Sequence, residues 1–276
     1  MKNTRICFIG CGNMGGSLIG GLLANGYNKD LICGSDPDSN QRNQLKDRYD
    51  IEVYEDNARA LTGSEVVVLA VKPQVMQSTL TGIADELAGR QVLIISIAAG
   101  IRTSSINRWL GDSLAVVRAM PNTPALIRAG VAALFASNMV SSEQKELSEA
   151  IMRSVGTVVW VDDEASLDAV TALSGSGPAY FFLLMEILEK AALELNLPAA
   201  KARLLILETA LGAAKMAVES HNDAATLRRQ VTSPGGTTEQ ALKVLEQGNL
   251  ENLFIQAVKA AHHRSVELAR SLGGDP

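Results

Sequence analysis

The chain lacks the features that bring a protein to a membrane or to nucleic acid. Its longest apolar runs, such as residues 65–71 and 91–99, fall far short of the roughly 20 residues that span a bilayer. The net charge of −5 is spread along 276 residues, without a basic stripe that would neutralise a series of phosphates. Residues 1–5 contain no apolar core of a secretory signal, so a cytoplasmic enzyme is the expectation.

Cysteine and histidine are scarce, and neither forms a metal-binding pattern. Cys7, Cys11 and Cys33 are odd in number and have no zinc-site spacing, so we expect small buried side chains. His262 and His263 are adjacent, and neighbours on a helix point about 100° apart, which does not suit a shared metal ion. The sequence therefore predicts no metal site.

Two regions of different character divide the chain, and its length also favours two domains. Residues 1–163 alternate β-type runs with amphipathic helical stretches, which predicts an α/β domain with a parallel sheet. In residues 164–276 such runs almost disappear, and apolar residues recur at helical spacing. This second region is predicted to be all-α, with four or five helices between turns that contain Gly or Pro.

The predicted elements of the first region follow the hydrophobic pattern. Strands are expected at 5–10, 31–35, 65–71, 92–96, 114–119, 131–135 and 158–161, with a weaker candidate at 51–54. Helices are expected at 14–25, 39–49, 74–88 and 141–155.

One helix of the second region is too apolar to stand alone. Residues 179–195 are apolar on nearly every face until Glu186. In a domain of this size such a helix needs a partner subunit to cover it. The sequence therefore predicts a homo-oligomer, at least a dimer.

A glycine-rich turn near the start of the chain predicts a dinucleotide site. The first strand leads from Ile9 into Gly10-Cys11-Gly12-Asn13-Met14-Gly15, and a GxGxxG that follows a strand and opens a helix is a specific signal. Gly10 makes the tight turn, Gly12 lets a pyrophosphate approach, and Gly15 allows close packing. Ile9, Asn13 and Met14 are further candidate cofactor contacts, beside the free N–H groups of the helix start.

The second strand ends at Ser35 and Asp36, a position that bears on the coenzyme. An acidic residue roughly 20 positions after the glycine turn accepts hydrogen bonds from the adenine ribose, and it repels a 2′-phosphate. No Arg or Lys occurs in residues 37–40, so this rule favours NADH over NADPH. In the alternative interpretation, Asp36 only forms a turn before Pro37.

Three further segments follow predicted strands, where ligands of open α/β sheets bind. They are Ala70-Val71-Lys72-Pro73, Ile97-Ala98-Ala99-Gly100 and the loop that carries Asn122. Their small residues leave room for a ribose and a nicotinamide.

A different loop in the second region is suited to an anion. Ser233-Pro234-Gly235-Gly236-Thr237-Thr238 precedes a predicted helix at 239–247. Consecutive N–H groups at a helix start form a natural pocket for a carboxylate. The alternative is an ordinary capped helix after a Pro-Gly-Gly turn.

Taken together, these segments closely resemble the pyrroline-5-carboxylate reductases over essentially the whole chain. The shared motifs lie at residues 8–15, 70–73, 96–100, 118–125, 174–180 and 233–238. The resemblance implies a Rossmann domain followed by an all-α dimerisation domain like the C-terminal domain of 6-phosphogluconate dehydrogenase. It also implies reduction of 1-pyrroline-5-carboxylate to L-proline by NADPH or NADH, the last step of proline biosynthesis.

The resemblance also implies roles for residues. Asn57 would lie near the adenine ribose, 70–73 along the cofactor, and 97–100 with Asn122 nearer the nicotinamide. Many relatives that use NADPH have a neutral residue where this chain has Asp36, so the coenzyme preference stays open.

For the substrate, the resemblance implies that the loop holds the carboxylate and that the Thr238 hydroxyl faces the imine nitrogen as the catalytic group. The substrate contacts would come from Ser233, Gly235, Gly236, Thr237 and Thr238.

Two other functions share much of this pattern. β-Hydroxyacid dehydrogenases have the same two-domain plan, but they resemble one another in a Lys on the first long helix of the second domain, and residues 177–184 contain none. A non-catalytic NAD(P)-sensing protein is the other alternative, although it would have no use for the anion-binding loop.

Overall fold

The computed structural model describes residues 4–111 and 114–273, and the description below is of those residues. The chain forms two compact units. The first comprises the residues up to Ser176 together with those from Ala261 onward, and the second is Gly177–Ala260. The division between residues 163 and 164 that the sequence suggested stays a prediction.

A single sheet organises the first unit, and its described strands number eight. They are β1 (Ile6–Ile9), β2 (Ile32–Ser35), β3 (Glu52–Tyr54), β4 (Val66–Leu69), β5 (Leu93–Ser96), β6 (Ala115–Met120), β7 (Gly130–Ala136) and β8 (Gly156–Trp160). The spatial order is β3-β2-β1-β4-β5-β6-β7-β8. The first six strands are parallel and have the 3-2-1-4-5-6 order of a Rossmann sheet, which confirms the predicted fold.

Helices connect these strands. They are α1 (Asn13–Ala24), α2 (Ser39–Tyr49), α3 (Asn57–Ala60), α4 (Met76–Thr81), α5 (Ala84–Leu87), α6 (Thr103–Leu110), α7 (Ser142–Arg153) and α8 (Ser166–Val170). The single helix predicted at 74–88 is instead a 3₁₀ turn, Pro73–Val75, followed by α4 and α5. The interruption falls at Gly82, a residue of poor helix propensity.

One strand departs from the predicted parallel sheet. β7 runs antiparallel to β6, because the connection between them holds only the 3₁₀ turn Thr123–Ile127. A parallel return needs a crossover of roughly a dozen residues or more. β8 follows the longer crossover through α7 and is parallel to β7.

The central strands β1, β4 and β5 are buried on both faces of the sheet, and they are short and almost continuously apolar. Successive side chains of β1 alternate between two apolar clusters: Ile6 and Phe8 belong to one, Cys7 and Ile9 to the other. All four residues of β4 are buried as well. The three cysteines are free thiols and buried, which confirms the expectation for them.

The second unit contains α9 (Gly177–Glu194), α10 (Ala199–Glu219), α11 (Ala224–Gln230), α12 (Thr237–Gln247) and the start of α13 (Leu250–Gly273). The later turns of α13 belong to the first unit, where Ser265 Oγ donates a hydrogen bond of 2.7 Å to the buried Asp168. Because α8 also lies after residue 163, that region has six described α-helices rather than the four or five that the sequence predicted.

The apolar side chains of α9 are uncovered in the single chain. Phe181 and Phe182 are 64% and 63% exposed. Among the described residues, the helical stretch Ser166–Glu194 is also the one segment that is long and apolar enough to cross a membrane, judged by length and composition alone. A contiguous apolar surface of this kind is typical of a subunit interface.

A charged cluster joins three segments of the first unit. Glu164, just before α8, accepts hydrogen bonds from Arg118 Nη1 at 2.9 Å and from the backbone N–H and hydroxyl of Thr103 at 2.7 and 3.0 Å. The Arg118 side chain is only 8% exposed and that of Glu164 18%. Removing one partner of such a pair leaves the other charge poorly solvated.

We predict that Glu164→Ala lowers the free energy of unfolding by about 3–5 kcal/mol, because Arg118 and the Thr103 N–H lose their acceptor. Urea denaturation followed by circular dichroism measures this change. Glu146→Ala removes an exposed carboxylate from α7 and is the control, with an expected change within about 0.5 kcal/mol. Equal stability of the two variants would contradict the prediction.

Candidate active site

Gly10 brings three strand ends together at the carboxyl edge of the sheet. It has φ +92°, and its N–H donates to the carbonyl of Ser35 at 2.9 Å. A Cβ at this position would lie 2.7 Å from the carbonyl carbon of Ala70. Glycine adopts this backbone angle without strain, and its missing Cβ allows the ends of β1, β2 and β4 to approach closely.

The start of α1 has the shape and the free donors that a pyrophosphate needs. Gly12 is the N-cap residue, and no side chain caps the helix. A Cβ at Gly12 would meet no atom within 4 Å, whereas one at Gly15 would lie 2.4 Å from the carbonyl oxygen of Gly10. Uncapped N–H groups and the positive end of the helix dipole favour an anion here.

Asp36 has its carboxylate fixed by the backbone. Oδ2 accepts from the N–H of Cys11 at 2.8 Å, and Oδ1 accepts from the N–H of Asp38 at 2.9 Å. Asp36 therefore forms the turn before α2 and also ties the end of β2 to the glycine turn. Each carboxylate oxygen has a second lone pair, so acceptor capacity for a ribose hydroxyl remains.

Two other predicted residues lie beside Asp36. Ser35 is buried, and its hydroxyl donates to Asn57 Oδ1 at 2.6 Å. This bond holds the first residue of α3 next to the end of β2. The structure thus brings Ser35 and Asn57 together, and their contact with an adenine ribose stays a prediction.

Cys11 lies within the glycine turn, but its thiol is not reactive there. Burial raises the pKa of Cys11 to about 12, and the charge of Asp36 adds to the effect. Sγ lies 3.4 Å from the carbonyl oxygen of Ser35, within hydrogen-bonding distance for sulfur. The protonated thiol therefore packs against β2.

Arg42 is a residue of this edge that the sequence analysis missed. Its Nη1 donates to the carbonyls of Asp36 and Pro37 at 2.7 and 2.9 Å. Residues 37–40 contain no cation, but the first turn of α2 returns Arg42 to the end of β2. The Asp38 side chain, which caps α2, is the sequence signal that locates this turn.

The segments 70–73 and 97–100 follow neighbouring strands at the same edge. The N–H of Ala70 donates to the carbonyl of Ile9 at 2.8 Å, and that of Ile97 donates to Leu69 at 3.1 Å. Ala98 is buried in the apolar cluster below, as Ile9 is. The side chains of Ile9 and Ala98 therefore belong to the apolar core beneath this edge of the sheet.

Asn122 uses both ends of its amide within the protein. Oδ1 accepts from the N–H of Val131 at 2.9 Å, and Nδ2 donates to the carbonyl of Ser174 at 3.2 Å. Ser174 belongs to a π-helical turn, Thr171–Gly175, that continues α8, and such turns occur frequently at functional sites. Asn122 thus joins β7 to this turn, and its place near a nicotinamide stays a prediction.

The substrate loop belongs to the second unit and is described within it. Gly235 has φ +70°, and its N–H donates to Glu239 Oε2 at 3.0 Å. The N–H of Gly236 donates to the carbonyl of Ser233, also at 3.0 Å. These bonds fix the loop, and no side chain caps α12, so the N–H groups of its first turn, beginning at Thr237, remain for an anion.

A Rossmann sheet with an uncapped, glycine-lined helix start at its carboxyl edge is typical of the dinucleotide-dependent oxidoreductases. Two protein-family models match the chain and identify its family within this class of enzymes. The family model described as "Pyrroline-5-carboxylate reductase dimerisation" matches residues 164–268, and "NADP oxidoreductase coenzyme F420-dependent" matches residues 5–100.

Whole-chain similarity gives the same answer. The pyrroline-5-carboxylate reductase of Pseudomonas aeruginosa is 50% identical and covers 99% of this chain and 100% of its own. The structure of the Coxiella burnetii enzyme is 47% identical with a TM-score of 0.91, over 96% of this chain and 98% of that one. The NADP-bound Plasmodium falciparum reductase has 29% identity and a TM-score of 0.87, over 98% and 99%.

The chain belongs to the pyrroline-5-carboxylate reductase family. It reduces 1-pyrroline-5-carboxylate to L-proline with NAD(P)H, the last step of proline biosynthesis. Its C-terminal helices form the dimerisation domain of a homo-oligomer. This membership confirms the resemblance and excludes the two alternatives that the sequence left open.

We predict that Gly12→Val weakens coenzyme binding without unfolding the protein. The added side chain meets no protein atom within 4 Å at its Cβ, but it occupies the space before the N–H groups of α1. NADH fluorescence should show a Kd raised about 10-fold or more, with Tm nearly unchanged. Gly10→Ala, which clashes with Ala70, should instead lower Tm; unaltered NADH affinity in Gly12→Val would refute the assignment.

We predict that Asn122→Ala costs about 1–3 kcal/mol of unfolding free energy, because the N–H of Val131 and the carbonyl of Ser174 each lose a partner. Asn43→Ala removes an exposed amide from α2 and is the control, with an expected change within about 0.5 kcal/mol. Thermal and urea denaturation compare the two variants, and a loss no larger in Asn122→Ala than in Asn43→Ala would count against this role.

Proposed function

We propose that the coenzyme lies along the carboxyl edge of the sheet, with its pyrophosphate at the start of α1. The observation that carries this proposal is the open space at Gly12 before an uncapped helix. The adenine ribose then lies at Ser35, Asp36 and Asn57, which are joined by short hydrogen bonds to one another or to the glycine turn. Segments 70–73 and 97–100 line the path toward the nicotinamide.

The substrate carboxylate is assigned to the loop 233–238. A carboxylate needs donors that have no other partner, and the first turn of α12 offers the N–H groups of Thr237 and Thr238. The N–H groups of Gly235 and Gly236 are already bonded within the loop, so these glycines serve to set its backbone conformation and do not act as donors. The rigid loop therefore presents its donors in a fixed direction.

Thr238 is the group assigned to the imine nitrogen. NAD(P)H held at the carboxyl edge of the sheet would supply the hydride that the ring carbon of the C=N bond accepts, while the π electron pair of that bond goes to nitrogen. A substrate that enters as the iminium already carries the nitrogen proton, so no strongly acidic side chain is required. The hydroxyl of Thr238 holds the nitrogen by a hydrogen bond, and orientation supplies most of the rate enhancement.

The cellular setting follows from the same features. The described cysteines are free thiols, which suits the reducing cytoplasm in which we place the enzyme. The uncovered apolar faces of α9 and α10 support an assembly of at least two subunits. We assign the chain a small-molecule substrate and no nucleic-acid or membrane partner.

We predict that Thr238→Ala lowers kcat about 10- to 100-fold, the loss expected for a hydrogen bond to a charged group. Stopped-flow oxidation of NADH with pyrroline-5-carboxylate measures this step. The coenzyme Kd should stay at the wild-type value, and Thr238→Ser should restore turnover because it keeps the hydroxyl. A wild-type kcat in Thr238→Ala would exclude Thr238 from the reaction.

A further inference from the structure

We propose that Arg42 binds the 2′-phosphate of NADPH and that Arg42 and Asp36 together let the enzyme use both coenzymes. The proposal rests on the coenzyme position proposed above and assigns its 2′ end to these two residues. Arg42 holds the phosphate, and Asp36 accepts a hydrogen bond from the hydroxyl that NADH carries at the same position.

Arg42 is held in place before any ligand binds. Both hydrogens of Nη1 are directed at the carbonyls of Asp36 and Pro37, the two residues that follow β2. The side chain is 18% exposed, so most of its length is packed. A guanidinium that is already ordered loses little entropy when it binds a phosphate.

The same guanidinium retains donors for a ligand. Of its five N–H hydrogens, two bond the carbonyls and one on Nη2 faces Glu55 Oε2 at 3.3 Å. No described acceptor bonds its Nε. The Glu55 side chain is 76% exposed, and an exposed ion pair of this length is weak. A 2′-phosphate is a stronger acceptor and can replace Glu55.

Asp36 favours NADH, and hydrogen bonds hold its side chain in one orientation. The N–H groups of Cys11 and Asp38 hold its two oxygens, so its negative charge stays at the end of β2. A 2′-hydroxyl donates to this carboxylate, whereas a 2′-phosphate is repelled by it. The cation of Arg42, bonded to the carbonyl of the same residue, offsets the repulsion.

The test compares the two coenzymes on Arg42→Met. Kd values for NADPH and NADH are measured by fluorescence titration of the purified enzyme without substrate. We expect the NADPH Kd to rise about 10-fold or more and the NADH Kd to change less than about 2-fold. Arg48→Met removes an exposed cation from the same helix and should leave both values unchanged. An equal rise for both coenzymes in Arg42→Met would overturn the proposal.

A second variant does not depend on the packing of Arg42. Glu55→Gln removes an exposed carboxylate that competes for the guanidinium, and we expect it to lower the NADPH Kd about 2- to 3-fold with no effect on NADH. An unchanged or raised NADPH Kd would overturn the proposal.

Adenosine 2′,5′-bisphosphate and 5′-AMP separate this proposal from the proposed coenzyme position. Wild-type enzyme should bind the bisphosphate more tightly, and Arg42→Met should lose that advantage. Equal affinity of the wild type for both probes would overturn the role of Arg42, while the coenzyme position would stand. Failure of Gly12→Val to weaken NADH would instead count against the coenzyme position itself.

Discussion

The hydrogen bond from the N–H of Gly10 to the carbonyl of Ser35 is the contact on which the geometry of the sheet's carboxyl edge depends. It joins the ends of β1 and β2, while the missing Cβ of Gly10 lets the end of β4 approach. The start of α1, the carboxylate of Asp36 and the segment after β4 are thereby brought to one edge. The chemistry of the site follows from how closely these backbones approach one another.

The hydrophobic pattern of the sequence was sufficient to locate the strands, because the central strands β1, β4 and β5 are short, buried on both faces and almost continuously apolar. It did not reveal the reversed direction of β7. That direction depends on the length of one connection, whose conformation, the turn Thr123–Ile127, has no periodic signal.

The geometry of the carboxyl edge was predictable to the extent that its residues follow one another in the chain. The glycine turn, Asp36 and the two later strand ends are short segments with local rules. Arg42 reaches the end of β2 because the first turn of α2 returns it there. Asn122 bonds Ser174, which lies 52 positions further along the chain. Such contacts carry no local pattern, so a single sequence does not reveal them.

The double tether of Asp36 has a consequence for how coenzyme use diverges among descendants of this enzyme. Replacing Asp36 removes a charge and also releases the backbone N–H groups of Cys11 and Asp38, which lie in the glycine turn and at the start of α2. A change at Glu55 or Arg42 alters the charge at the same edge while leaving both tethers intact. Under the proposed coenzyme position, changes in α2 and in the segment after β3 therefore disturb the backbone of this edge least, whereas a change at Asp36 takes the side-chain acceptor from two backbone N–H groups.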